Sequence, residues 1–304
     1  MSLIVTGTIG IDTVHAPTGV AEQVLGGSCA YFAAAASHRA PVRLVAAVGG
    51  DWPEDHRRIL SDFKGICLDG LETRPESRTF AWGGRYHENM NERETLFTEL
   101  GVLEEAGPTV PEQYRDSQLV FLANTHPAEQ ARLLSHFPDR TLAVADTMDL
   151  WINVAHSDLL ALLQQVDGLV LNDQEAELLT ECRNPVTAGR RLLEMGPSFV
   201  IVKKGEHGSM LVHRDGIAVL PAFPCETDRV IDPTGAGDSF AGGLMAHLAE
   251  TGRTDMETIQ AGMAWGTVTA SFTIETFSLH GLAGMTAESL RNRMDQFRRI
   301  AAVG

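Results

Sequence analysis

The sequence predicts an α/β fold: a doubly wound, mainly parallel sheet flanked by helices, with a small β lid. Three observations carry this expectation. Short β-rich runs alternate with longer helical ones over most of the 304 residues, which is the rhythm of successive βα units. The runs "LVFLAN", "TLAVA", "GLVLN" and "FVIV" are largely apolar rather than alternating, as strands covered on both faces are. Two stretches, residues 12–25 and roughly 73–100, are polar and turn-rich without a long helical pattern, and so break the rhythm.

In chain order, "LIVTGTIG" and "VRLVAAVGG" are expected strands, each followed by a helix, "GGSCAYFAAAASHR" and "PEDHRRILSDF". After the second break, "LVFLAN", "TLAVAD" and "GLVLN" alternate with the helices "PAEQARLLSHF", "DLLALLQQV" and "DQEAELLTEC". "TAGRRLLEMG", "FVIVKKG" and a late helix, "DSFAGGLMAHLAE", complete the pattern. The two polar stretches are separated by a βα unit. Together they are expected to form one lid, hinged twice to the edge of a single domain spanning residues 1–304.

Composition limits the function classes. A chain that is 44% hydrophobic and 21% charged reads as a globular protein with room for a large core. A formal charge of −16 repels a phosphate backbone, so nucleic acid is excluded as the main partner and any phosphate site must be local. Cys29, Cys67, Cys182 and Cys225 lie far apart with no CxxC pair, which fits reduced thiols. No basic leader and no run of eighteen apolar residues is present, so the expected location is cytoplasmic, with no membrane partner. The histidines show no HExxH or paired spacing, which argues against a transition-metal centre.

Residues 232–243, "DPTGAGDSFAGG", place four glycines and two carboxylates where a helix begins. Gly235 and Gly237 permit tight turns and close approach, and bare N–H groups gather at a helix start that carries about half a positive charge. An N-cap alone needs one polar residue, not this cluster. A Walker A loop requires a Gly-Lys pair, which the chain lacks; a dinucleotide fingerprint starting at Gly235 would need a small residue where Phe240 stands. What remains is an anion nest of Gly235, Ala236 and Gly237 followed at once by Asp238. A carboxylate there would repel a resting phosphate. It suits a base that takes the proton of an attacking hydroxyl while the amides meet the transferring phosphoryl charge.

"DPTGAGDSFAGGLMA" resembles the second signature of the ribokinase or PfkB-type carbohydrate kinases, and the order of the other segments agrees over nearly the whole chain. The resemblance implies a ribokinase-like core with a β lid, binding of ATP and Mg²⁺, and phosphorylation of a hydroxyl on a sugar or related polyol. It makes Asp238 the catalytic base and Gly235, Ala236 and Gly237 the anion hole. Asp232 and Thr234 match positions that, in several members, hold a monovalent cation such as K⁺. "LVLNDQEAELL" resembles the NxxE motif, so Asn172 and Glu175 would organise magnesium and phosphates, largely through water; the same residues also spell a capping box. "VIVKKGEHGS" resembles the strand and turn beside the nucleotide, with Gly205 in the turn. Two of the chain's three lysines, Lys203 and Lys204, fall there, and Lys203 is the one expected to reach the phosphates.

For the acceptor, the resemblance points to Asp12 in "GTIGID", expected at the end of a strand, and to Gly26 and Gly27. Relatives commonly carry Asn four residues after the second glycine. This chain has Tyr31, which weakens a ribose or fructose assignment; the aromatic either stacks on a substrate ring or packs in the core. Asn124 closes another strand and faces the crevice if ligands bind beyond the carboxyl ends of the sheet. Asp51, ahead of Pro53 and Glu54, reads as a helix start; His126 and His207 read as polar loop residues. Phe80, Trp82 and Tyr86 would cover the substrate or meet a second subunit in a homodimer through the lid, since lids in this family often dimerise. Two alternatives remain open: a nucleoside kinase of the same fold, and a nucleotide-binding regulatory protein without turnover.

Overall fold

The computed structural model describes residues 1–301. The first half contains β1 (Leu3–Thr6), β2 (Gly10–Ala16), β3 (Gly19–Gly26), α1 (Ser28–Ser37), β4 (Val42–Gly49), α2 (Glu54–Asp62) and β5 (Ile66–Arg74). Next come β6 (Phe80–Tyr86), β7 (Arg93–Glu99), β8 (Leu119–Leu122), α3 (Pro127–Leu134), β9 (Leu142–Asp146), α4 (Asp149–Val154) and α5 (His156–Leu163). The remainder contains β10 (Gly168–Asn172), α6 (Asp173–Thr180), α7 (Pro185–Glu194), β11 (Phe199–Lys203), β12 (Ser209–His213) and β13 (Gly216–Leu220). It closes with α8 (Ala236–Thr251), α9 (Met256–Thr273), α10 (His280–Ala283) and α11 (Ala287–Ala301).

Nine strands form one sheet in the order β13-β12-β11-β10-β9-β8-β1-β4-β5. All pairs from β5 to β11 are parallel, while β12 and β13 append an antiparallel edge. Successive residues of β1 feed opposite faces. Leu3 and Val5 join the layer of α1, α8 and α9, and Ile4 joins that of α3, α5, α6 and α7. The chain leaves β1 toward β4 on one side and later returns to β8 on the other. This reversal opens a crevice beyond the carboxyl ends of β1 and β8.

Small residues let α8 sit deep in this frame. A Cβ at Gly242 would overlap the Phe32 carbonyl of α1, and one at Gly266 of α9 would press on Phe240. The second glycine pair of "GAGDSFAGG" therefore serves helix packing rather than the anion nest. Among the described residues no helix is long and apolar enough to cross a membrane.

A second sheet, in the order β3-β2-β6-β7, occupies the expected lid stretches with shifted bounds. It begins at Gly10 rather than residue 12, and its second part begins at Phe80 rather than residue 73. Ile66–Arg74 belongs to the main sheet, where it pairs with β4. Asp12 consequently lies within β2 of the small sheet and not at the end of the first core strand. Val14, Trp82 and Tyr86 form its apolar inner cluster, joined by Phe277. Asp51 proves to be a hinge residue: its Oδ1 accepts from the Thr79 amide at 2.7 Å and the Thr79 hydroxyl at 2.8 Å, just before β6. It does not start α2, whose N-cap is Pro53 without a side-chain bond.

Candidate active site

The start of α8 is shaped by its glycines. Gly235 is the N-cap with φ 74°, a left-handed conformation that glycine adopts without strain. A Cβ there would overlap the Tyr31 ring, and one at Gly237 would overlap the Lys203 ammonium. The Ala236 amide bonds to the Pro233 carbonyl at 3.1 Å, and the Thr234 amide to Asp232 Oδ1 at 2.8 Å. The Gly235 and Gly237 amides have no such backbone partner among the described residues. Bare donors, a helix N-terminus and an ammonium therefore meet at one point, which favours an anion.

Acidic side chains surround that point. Burial raises the Asp238 carboxyl above the usual range, while the charges of Lys203 and Arg93 pull it down. Asp146, at the end of β9, is raised well above a normal carboxyl by burial and then by the Asp238 charge. Asp12 is pushed up to about 7 by burial, then by the charges of Asp232 and Asp238, against the Gly27 amide and Arg93. Burial also raises Glu175, against Lys203, and Asp232, against its bonds to Thr234. Asp238 is thus a stronger base than an ordinary aspartate, although the sequence argument asked for no such shift.

Other expected residues divide into those the fold brings here and those it uses elsewhere. Gly26 lies against the Asp12 carboxylate, so closely that a Cβ would overlap it. Gly27 has φ 94° and packs on the Thr8 carbonyl and Ile9 backbone. Tyr31 is buried, with its ring under Gly235 and its hydroxyl raised by burial and by the nearby Asp232 and Asp12. Packing beneath the nest, rather than stacking on a ring in the open crevice, is what its position supports. Asn172 and Glu175 form the full capping box, Glu175 N to Asn172 Oδ1 at 2.7 Å and Asn172 N to Glu175 Oε2 at 2.8 Å. Gly205 sits in the turn after β11 with φ 52°.

Asn124 holds α4: its Oδ1 accepts from Trp151 Nε1 at 2.8 Å and its Nδ2 lies 3.1 Å from Met148 Sδ. His126 caps α3 by accepting from the Ala128 amide at 3.2 Å, and His207 is exposed beside Glu206. A cavity of about 450 Å³ opens nearby, with Gly7, Val102, Leu103, His126, Leu133 and Trp151 in its wall. Sequence reasoning missed Asp146 and Arg93. Asp146 does end an apolar strand run, the same signal that singled out Asn124.

The pfkB family carbohydrate kinase profile matches residues 134–278. The cytidine kinase of Thermococcus kodakarensis is 30% identical over 268 residues, covering 86% of this chain and 94% of that one. The chain belongs to the ribokinase/PfkB family. As a PfkB-family kinase it is a phosphotransferase acting on a hydroxyl group. Two solved structures carry the same fold over 97% of this chain. One is the Burkholderia thailandensis nucleoside kinase in complex with inosine, with 19% identity, a TM-score of 0.78 and 98% of that chain covered. The other is an E. coli protein described as a ribokinase II, in complex with ATP and Mg²⁺, with 16% identity, a TM-score of 0.76 and all of that chain covered.

Proposed function

We propose that this kinase transfers the γ-phosphoryl group of ATP to a ribose hydroxyl of a nucleoside, with Asp238 as the base and Gly235, Ala236 and Gly237 as the anion hole. The observation that carries the reading is the position of Asp238 in the first turn of α8, beside Asp12 and against Lys203. The residues present fit a magnesium nucleotide. The nest amides and the Lys203 ammonium suit its phosphates, while Asn172, Glu175 and the unpartnered, buried Asp146 Oδ1 suit a hydrated Mg²⁺. Asp232 Oδ2, also buried without a partner, suits K⁺ beside Thr234. When bound, Mg-ATP supplies the phosphoryl group and much of the charge that offsets it.

The chain's own residues account for the rest. Asp12, its carboxyl against Gly26, orients the acceptor and selects for hydroxyl donors. Asp238 accepts the hydroxyl proton. The small sheet excludes water from the crevice. A nucleoside is favoured over a free sugar by the cytidine kinase relative, which matches 86% of this chain. A sugar or polyol is the second reading, supported by the family description.

The test is ADP release with Mg-ATP across a panel of nucleosides, sugars and polyols, for the wild type and Asp238→Asn. One class of acceptor should stimulate release, and the substitution should lower kcat by about a thousandfold with the folded state retained by circular dichroism. Activity that survives Asp238→Asn would remove the base. Nucleotide binding without any active acceptor would favour a regulatory protein, and phosphate release without an acceptor would favour a hydrolase.

A further inference from the structure

The small sheet brings one uncommitted positive charge over the crevice. β6 and β7 pair so that Tyr86 and Arg93 stand opposite each other, next to the turn that joins the two strands. That turn touches the core on both sides of the crevice. The Thr234 hydroxyl donates to the Tyr86 hydroxyl at 3.2 Å on the nest side, and Asn91 Nδ2 donates to Glu206 Oε1 at 3.3 Å on the side of the Gly205 turn. Arg93 is held between these points. Its guanidinium carbon lies 5.5 Å from the centre of the Trp82 ring, and its residue stands across the strand pair from Tyr86.

Arg93 is exposed and forms no ion pair among the described residues, whereas Arg85, on the opposite face of β6, pairs with Glu94 at 3.7 Å. The groups that feel its charge are the carboxyls of Asp12, Glu175 and Asp238, each lowered by it. Charge balance gives this position its meaning. Asp12, Asp146, Glu175, Asp232 and Asp238 converge on the nest, and the core sends Lys203 as their counter-ion. A phosphoryl group in transit adds negative charge spread over three equatorial oxygens. A planar guanidinium with five donors matches paired oxygens better than a single ammonium does.

We propose that Arg93 is a further catalytic residue, a lid-borne guanidinium that lies against the equatorial oxygens of the phosphoryl group during transfer. The proposal rests on the ATP-dependent reading above. In that reaction the acceptor oxygen bonds to phosphorus as the bond to the β–γ bridging oxygen breaks, the hydroxyl proton passes to Asp238, and ADP leaves with the electron pair. Arg93 stays protonated throughout and changes no bond.

The experiment measures binding as well as turnover. Calorimetry with Mg-ADP alone, and with Mg-ADP plus aluminium fluoride as a planar phosphoryl mimic, compares wild type, Arg93→Gln, Arg93→Lys and the lid control Arg85→Gln. Arg93→Gln should bind Mg-ADP within about twofold of wild type but lose about a hundredfold in affinity for the aluminium fluoride complex. Its kcat should fall by a similar factor, and Arg93→Lys should recover part of both; Arg85→Gln should match the wild type. Equal loss for Mg-ADP with and without fluoride, or no loss for either, would overturn the role. Because the mimic needs no proton transfer, a failure of the Asp238 base would show in kcat of Asp238→Asn while leaving this difference intact.

Discussion

Asp12 shows at the scale of one residue how the proposed function would work against stability. Its carboxyl is buried near two other acids and holds its proton up to about pH 7, against an ordinary value of 3.8. The folded state therefore binds the proton more tightly than the unfolded chain. Its contribution is complete below pH 3.8 and is lost as pH rises through about 7. A shift of this size corresponds to about 4 kcal/mol at most. Asp12→Asn should accordingly raise Tm by about 5 °C at pH 8, with the gain vanishing near pH 4. Scanning calorimetry at the two pH values checks this, and an equal gain at both would mean that ionisation is not the cause. Asp12, Asp238 and the nest glycines were legible in the sequence because each sits in a motif with fixed spacing. Asp146 ends an apolar run as Asn124 does, but nothing in the sequence ties it to Asp238, since its meaning comes from β9 lying beside β10 in space. Arg93 was hidden in "NERETLF", whose charges look like those of any solvated hairpin.

At the scale of elements, the nest is a joint between two helices. The left-handed Gly235 caps α8 and at the same time rests on the Tyr31 ring of α1. Gly235→Ala should thus destabilise through both strain and overlap, the strain alone costing about 1–3 kcal/mol. In a Tyr31→Ala background the overlap is gone and only the strain remains. Denaturant unfolding of the four proteins in a double-mutant cycle should give a coupling of about 1 kcal/mol or more; strict additivity would mean that the ring does not limit this site. The apolar parallel strands and their helices were legible because burial on both faces leaves an unbroken run. The edge strands were harder: β5 is only half-buried, and the β12–β13 hairpin, which turns at Arg214-Asp215, lies beyond the last strand run that periodicity marked. The small sheet departs from the expected bounds because β7 is exposed throughout and β3 is buried only at its end, which leaves little hydrophobic pattern.

For the whole molecule, the lid spans the crevice that the sheet's reversal creates, touching the nest through Tyr86 and the Gly205 turn through Asn91. On the proposed reading, such a bridge would tie the two substrates' sites to one movement. Nucleotide and acceptor should therefore bind with positive coupling, and Tyr86→Phe should reduce it by about fivefold, the worth of one hydrogen bond. Calorimetric titration of the acceptor with and without a non-hydrolysable ATP analogue measures it, and coupling unchanged in Tyr86→Phe would exclude that bond as the link. The parallel pairing of β2 with β6 sets Gly10 beside Phe80, so the lid's register cannot form until α1, β4, α2 and β5 have closed the intervening loop. Closing so long a loop is slow, whereas the nest and Lys203 belong to core elements. On the proposed reading, a refolding chain would thus recover its grip on the nucleotide before it acquires the strand that bears Asp12, and each new molecule would pass through a stage that holds phosphate yet has nothing to give it to.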